Sequence, residues 1–310
     1  MTTETAAMSV DIDDLALADT DFFGLPRRGR NRDRRTAIRS QVRRLTEFLD
    51  RHGARCTWFV PGYILEACPD VLEDACDRGH EFACHGHLHI PAYRHTPSSF
   101  EDDLGTAVGL LRRATGAVPI GYRAPGFTLL PVAGWATPIL QRQGFRYSSS
   151  VPALAVGQHR YRMAGPRPFR WPCGLTELPI STQRVWGVRV PICGSVYTRL
   201  LPHALIKYAT AKYRRESAHP LFYYCHPFEA FPEAAPCPVV RRNWGSRLYA
   251  AGRGDFLGKL EWILTQFTCV PYAAVAAKID HDDATCAVVP TNLPRSAGHG
   301  EAPGRTDGPA

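Results

Sequence analysis

Hydrophobic and polar positions change period from segment to segment along the chain. Residues 8–12 form a short apolar strand that runs into the acids Asp11, Asp13 and Asp14. Across 36–52, Ile38, Val42, Leu45 and Leu49 recur at helical spacing and Gly53 follows, which predicts an amphipathic helix and its stop. Residues 56–60, rich in β-branched and aromatic side chains, predict a second strand. Residues 61–78 read as helix, interrupted or restarted at Pro69. Residues 81–85 read as a third strand ending at a polar cluster. Ser98-x-x-Glu101 reads as a capping box before a helix carrying Leu104, Val108 and Leu111. Strands are expected at 120–123 and 145–148 with a helix at 132–143 between them. A late apolar strand at 221–225 runs into His226, and a last helix covers 256–267.

Alternating strands and helices predict an α/β protein with a parallel sheet covered by helices. Asp11, Asp13, His85, Arg123 and His226 then all fall at or just past the C-terminal ends of strands, the rim where α/β barrels assemble their sites. The predicted organisation is one domain over 8–280, between a disordered N-terminus at 1–7 and a disordered tail at 281–310 rich in Asp, Gly, Pro and Ala.

Composition adds little: 45% hydrophobic and 21% charged residues describe an ordinary globular chain. No apolar run reaches the roughly 18 residues of a membrane span, and the N-terminus lacks the basic and apolar regions of a secretory leader, so cytoplasmic residence is the expectation. The ten cysteines form no CxxC pair, and Cys56, Cys84 and Cys225 lie in apolar strands; they read as reduced core residues. Much of the net charge of +8 sits in Arg27, Arg28, Arg30, Arg32, Arg34 and Arg35. That loop reads as solvated, with an anion clamp as the sharper alternative. Without interleaved aromatics it gives no sign of nucleic-acid binding.

Four stretches carry candidate chemistry. In Ser9-Val10-Asp11-Ile12-Asp13-Asp14, carboxylates two apart on a strand face one side, which suits a metal ligand beside a general base; acids at strand ends also serve as plain caps. In Gly79-His80-Glu81-Phe82-Ala83-Cys84-His85-Gly86-His87-Leu88-His89, His85 and His89 are four apart and can share a face of a helical turn as zinc ligands. A surface histidine cluster is the plainer reading, and His80 and His87 read as structural or supporting. In Gly121-Tyr122-Arg123-Ala124-Pro125-Gly126-Phe127, an arginine at a strand end can hold a carboxylate, and the turn backbone can line a pocket. In Tyr223-Tyr224-Cys225-His226-Pro227-Phe228-Glu229, a histidine closing an apolar strand is placed to protonate a leaving group, or is simply a satisfied core histidine.

The ordered series SVDIDD, GHEFACHGHLH, GYRAPGF and YYCHPFE resembles the polysaccharide deacetylases, carbohydrate esterase family 4, and is most similar to the exopolysaccharide-associated branch. The resemblance spans about residues 8–278 and takes in GPRPF at 165–169, GLTELPIST at 174–182 and 194–202. It implies a distorted (β/α) barrel with fewer than eight strands. It further implies Asp11 as general base, Asp13, His85 and His89 as ligands of a divalent metal (zinc by donor type), Arg123 holding the base and His226 as general acid. The implied substrate is an acylated amino sugar, anionic or carrier-linked, whose N-acetyl group is hydrolysed. Other C–N bond hydrolysis, by a deformylase or cyclic amidase, and a non-catalytic carbohydrate-binding homologue are the alternatives.

Three departures stand out. Ser148 occupies a position where many relatives carry an acid, Phe228 stands where Trp is usual, and Cys193-Gly194-Ser195 replaces a more glycine-rich loop.

Overall fold

The computed structural model describes residues 4–13, 32–129, 133–151, 167–192, 194–232, 253–281 and 287–288. In chain order the elements begin with β1 (Thr5–Asp11), α1 (Arg32–Arg51), β2 (Thr57–Val60), α2 (Gly62–Ala67), α3 (Glu73–Cys76), β3 (Glu81–Cys84), α4 (Pro97–Thr115), β4 (Gly121–Tyr122), α5 (Ala136–Arg142) and β5 (Tyr147–Ser148). They continue with β6 (Phe169–Arg170), β7 (Thr176–Glu177), β8 (Thr182–Val185), β9 (Val188–Pro191), α6 (Ser195–Leu200), α7 (His203–Glu216), β10 (Leu221–Cys225) and α8 (Pro227–Ala230). The last are α9 (Phe256–Gln266), β11 (Thr268–Val270), α10 (Tyr272–His281) and β12 (Ala287–Val288).

Seven parallel strands run side by side in the order β10-β1-β2-β3-β4-β5-β7 and curl into a wall. The gap between β7 and β10 is bridged by backbone instead of a paired strand: Ser181 N donates to Phe222 O, and Gly194 bridges Tyr224. This is the expected distorted barrel. Gly194 has φ +108°, and a Cβ there would lie 1.8 Å from the Tyr224 carbonyl oxygen. Gly194→Ala is therefore expected to destabilise the fold by about 2–4 kcal/mol, read from the thermal midpoint.

Strand alternation sorts the side chains. Ala6, Met8 and Val10 face outward to the helices, with Val42, Leu45 and Leu49 of α1 in the same core. Each buried side chain of that α1 stripe contributes about 1.5–3 kcal/mol. Ala7, Phe59, Ala83, Tyr147 and Phe222 face into the barrel, where Tyr272, Val275, Ala276 and Ile279 of α10 pack against them. Ser9 and Asp11 continue that inner face, so a buried apolar floor supports a polar upper end.

Several boundaries differ from expectation. Strand β1 begins at Thr5, not residue 8: Ala6 pairs with both Leu221 and Cys269, so part of the stretch expected to be disordered is core. Ala and Thr gave that stretch too little apolar contrast to show. The 61–78 helix breaks into α2 and α3 around Pro69. The cap of α4 is Thr96, which accepts from Ser99 N, and not Ser98, because Pro97 already occupies the first helical turn. The expected disordered tail lies outside the described residues except for β12, which pairs with β6. Asp14, the arginines 27, 28 and 30, and the side chains of Arg32 and Arg34 also lie outside them. Among the described residues all seven cysteines are free thiols, in agreement with the reduced-core reading. No described helix is long and apolar enough to cross a membrane.

Candidate metal and active site

Because the wall strands are parallel, their C-terminal ends share one rim, and each sequence-predicted residue lies there. Asp13, two residues past β1, turns Oδ1 toward His89 Nε2 at 3.3 Å and His85 Nε2 at 3.6 Å. One ligand atom from each of the three lies within 4.8 Å of the others. Asp13 Oδ1 is buried and makes no hydrogen bond, an arrangement costly for a carboxylate unless a cation completes it. His85 Nδ1 lies 2.7 Å from the Arg123 carbonyl oxygen, which fixes the proton on Nδ1 and points the Nε2 lone pair at Asp13. Burial pushes the His85 pKa down despite the acids nearby, keeping the imidazole neutral as a ligand must be. Burial opposes ionisation of Asp13, but His89, His226 and His85 together hold its pKa well below the ordinary carboxylate value. Two imidazoles and one carboxylate form a donor set suited to a divalent cation, with coordination positions left over.

The histidine pair does not sit on a helical turn. Residues 85–91 are an irregular loop in which Gly86 and His89 both have positive φ, and this reversal brings His89 back beside His85. The loop is held by Asp103 of α4, whose carboxylate accepts from His87 N at 2.7 Å and Leu88 N at 3.1 Å. Sequence reading missed Asp103. Asp103→Asn is expected to weaken divalent-cation affinity about 10–100-fold, as outer partners of metal ligands do; isothermal titration with zinc measures it. His80 lies apart, accepting from Cys56 N, and burial lowers its pKa to about 4.

Arg123, fully buried, stacks over Phe59 at 4.0 Å and donates to Ser9 Oγ, Asp11 Oδ1 (2.5 Å) and both the Oγ and carbonyl oxygen of Ser149. One oxygen of Asp11 is thereby tied down and the other left for chemistry. In the 124–127 turn expected to line the pocket, Ala124 N–H is committed to Ser150 Oγ and Phe127 N–H to Ala124 O. Pro125 has no N–H, which leaves Gly126.

On the opposite side of Asp13, His226 places Nε2 3.5 Å from Oδ2. Its Nδ1 faces Glu229 Oε2 at 3.1 Å and Ser195 Oγ at 3.2 Å. Glu229 is itself buried, receiving Arg199 Nε at 2.7 Å and Ser195 Oγ at 3.0 Å. Burial works against a charged His226, but the Glu229 carboxylate, with Asp13, holds its pKa up at about 10. Burial likewise opposes the Glu229 charge, yet His226 and Arg199 bring its pKa below the ordinary value. Ser148 does none of this work: its hydroxyl donates to Ser150 Oγ, beside Glu177, which receives Ser150 N and Val151 N. The carboxylate beside the His226 imidazole is that of Glu229. Its signal was the H-P-x-E spacing, which puts a carboxylate one short turn beyond the histidine.

Residues 33–133 match the family model described as polysaccharide deacetylase. That stretch, about a third of the chain, is thus similar to the polysaccharide deacetylases. Residues 148–277 match a second family model, a domain of unknown function, DUF3473. Over 117 residues the chain is 35% identical to the peptidoglycan deacetylase-like protein FGM2 of Gibberella zeae, covering 37% of this chain and 34% of that one. Over 110 residues it is 30% identical to the peptidoglycan deacetylase of Helicobacter pylori, covering 36% of each. The match therefore spans about a third of the length of these relatives. The fold is shared with a provisionally named polysaccharide deacetylase from Mycobacterium smegmatis, at TM-score 0.63 and 20% identity over 94% of this chain and 96% of that one. It is also shared with PuuE allantoinase, at TM-score 0.55 and 15% identity over 89% and 90%.

Proposed function

We propose that this protein is a deacetylase that hydrolyses the N-acetyl group of an amino sugar, in a polysaccharide or a small biosynthetic sugar, with a divalent cation held by Asp13, His85 and His89. The observation that carries this reading is the three-ligand cluster flanked on one side by Asp11–Arg123 and on the other by His226–Glu229. Zinc fits the nitrogen-and-oxygen donor set best. When bound, the cation supplies Lewis-acid polarisation of the acyl oxygen and acidifies the attacking water.

The chain's own residues supply the proton transfers. The free oxygen of Asp11 accepts the proton from water as the water oxygen attacks the acyl carbon. Arg123 keeps Asp11 oriented and its charge compensated. Collapse of the tetrahedral adduct breaks the C–N bond, and His226 delivers its Nε2 proton to the departing nitrogen, giving acetate and a free amine. A retained proton suits that step, because an amide nitrogen is a poor leaving group until it is protonated.

Product release from a panel of N-acetyl amino sugars, their N-formyl counterparts and cyclic amides tests the reading. Acetate from the N-acetyl compounds is expected. Turnover confined to formyl or cyclic-amide substrates would reassign the reaction, and metal binding without any turnover would mark a binding protein.

A further inference from the structure

The β8–β9 hairpin packs on α7 and ends in a two-residue turn, Trp186-Gly187, with φ of +47° and +82°. Such turns favour Asn-Gly, and a bulky aromatic side chain there is disfavoured locally. Trp186 nonetheless occupies the tip and is 82% exposed. Val188, next to the turn, is 66% exposed, and Tyr208 of α7, 45% exposed, lies with its ring parallel to that of Trp186 at 5.8 Å. Three large apolar side chains thus share one projecting edge, while nothing in the barrel requires them there.

The charge around this edge is mainly positive. Residues 178–215 contain no Asp or Glu and seven Arg or Lys, and the next residue, Glu216, pairs with Lys212. Arg184 and Arg189 sit directly opposite each other across the hairpin, a like-charge pairing that costs stability. They occupy the ribbon face turned away from α7, since Gln183, on the other face, donates to Glu216 at the end of α7. On α7 itself, the exposed Arg215 continues the stripe of Tyr208 at i+7. The apolar tip therefore has cations on both sides. A carboxylated sugar resting on the rings would call for cations on one face only. A collar on both faces matches a flat anionic surface into which the tip sinks while the cations meet head groups.

We propose that the β8–β9 tip, with Trp186, Val188 and Tyr208 collared by Arg184, Arg189 and Arg215, docks the protein on an anionic lipid bilayer surface. The bilayer is met peripherally, independently of the reaction at the barrel rim.

The test is co-sedimentation of the full chain with vesicles of phosphatidylcholine alone or carrying about a third phosphatidylglycerol. Binding is expected to the anionic vesicles only and to be lost near about 1 M salt. Trp186→Asn should weaken binding about tenfold, while the thermal midpoint holds or rises, because Asn-Gly suits the turn. Val188→Ser, outside the turn, should weaken binding in the same direction, and Arg184→Ser should weaken it about fivefold. Equal binding to neutral vesicles, undiminished binding by Trp186→Asn and Val188→Ser, or retention by a soluble acidic polysaccharide but not by vesicles, would overturn the proposal. Acetate release from a soluble substrate is expected to be unchanged in these variants, so failure here and failure of the deacetylase reading remain distinct.

Discussion

Replacing Asp13 by alanine is expected to abolish tight divalent-cation binding and to lower acetate release about a thousandfold or more, the several kcal/mol that a Lewis acid contributes. Asp13 supplies the single carboxylate of the cluster and faces three imidazoles: those of His85 and His89 through Oδ1 and that of His226 through Oδ2. Without it, two neutral imidazoles remain, a far weaker site, and His226 loses one of the two carboxylates that favour its proton. Folding should survive, because Asp13 lies beyond β1 and pairs with no strand. Metal content by elemental analysis, beside acetate release and the thermal midpoint, measures all three effects. A variant that loses activity while retaining metal would place Asp13 in proton transfer instead.

Glu229→Gln is the second large effect. Glutamine keeps the shape beside Arg199 and Ser195 but removes the charge that holds the proton on His226. A fall in kcat of about 10²–10⁴-fold is expected with little change in KM, the range for a mis-set general acid. The pH profile carries the sign. His226 acts while protonated, and its pKa stands near 10, so wild-type activity should persist on the alkaline side and fall as pH rises through that value. In Glu229→Gln that limb should move toward neutral pH. Stability follows the same direction: a histidine whose pKa is raised on folding stabilises fully below its unfolded value of about 6.5 and loses that contribution as pH rises toward 10. Glu229→Ala tests something else, since it leaves Arg199 buried without its carboxylate and should cost about 3–5 kcal/mol of stability. An unshifted alkaline limb in Glu229→Gln would show that Glu229 serves the fold alone.

The candidate residues were legible because parallel strands deliver their C-terminal ends to one rim. Asp11, Asp13, His85, Arg123 and His226 each follow an apolar run, and that position alone brings together residues more than two hundred positions apart. The residues that hold them were harder to see. Asp103 lies in the middle of α4 and looks like any helix acid until the loop at 86–88 folds onto it. Arg199 and Glu229 look like surface charges in sequence, yet both are buried because they pair with each other, and Glu229 also accepts from Ser195. The HxxxH spacing suggested a helical turn, but two positive-φ residues make the reversal instead, a conformation that no periodicity announces. Helix α7 went unseen because its buried stripe, Ile206, Ala209, Thr210 and Tyr213, is only partly apolar. The β8–β9 hairpin escaped because its turn carries Trp where Asn would be expected. Both misses lie where local preference gave way to a tertiary or surface demand.

The most direct test is to strip the wild-type protein with a chelator and titrate zinc back while following acetate release from an N-acetyl amino sugar. Activity is expected to be absent at first and to rise in proportion to zinc, reaching its plateau at a single equivalent per chain. Full acetate release by the stripped protein, or restored metal binding with no hydrolysis, would contradict the assignment of Asp13, His85 and His89 as the ligands of a catalytic cation.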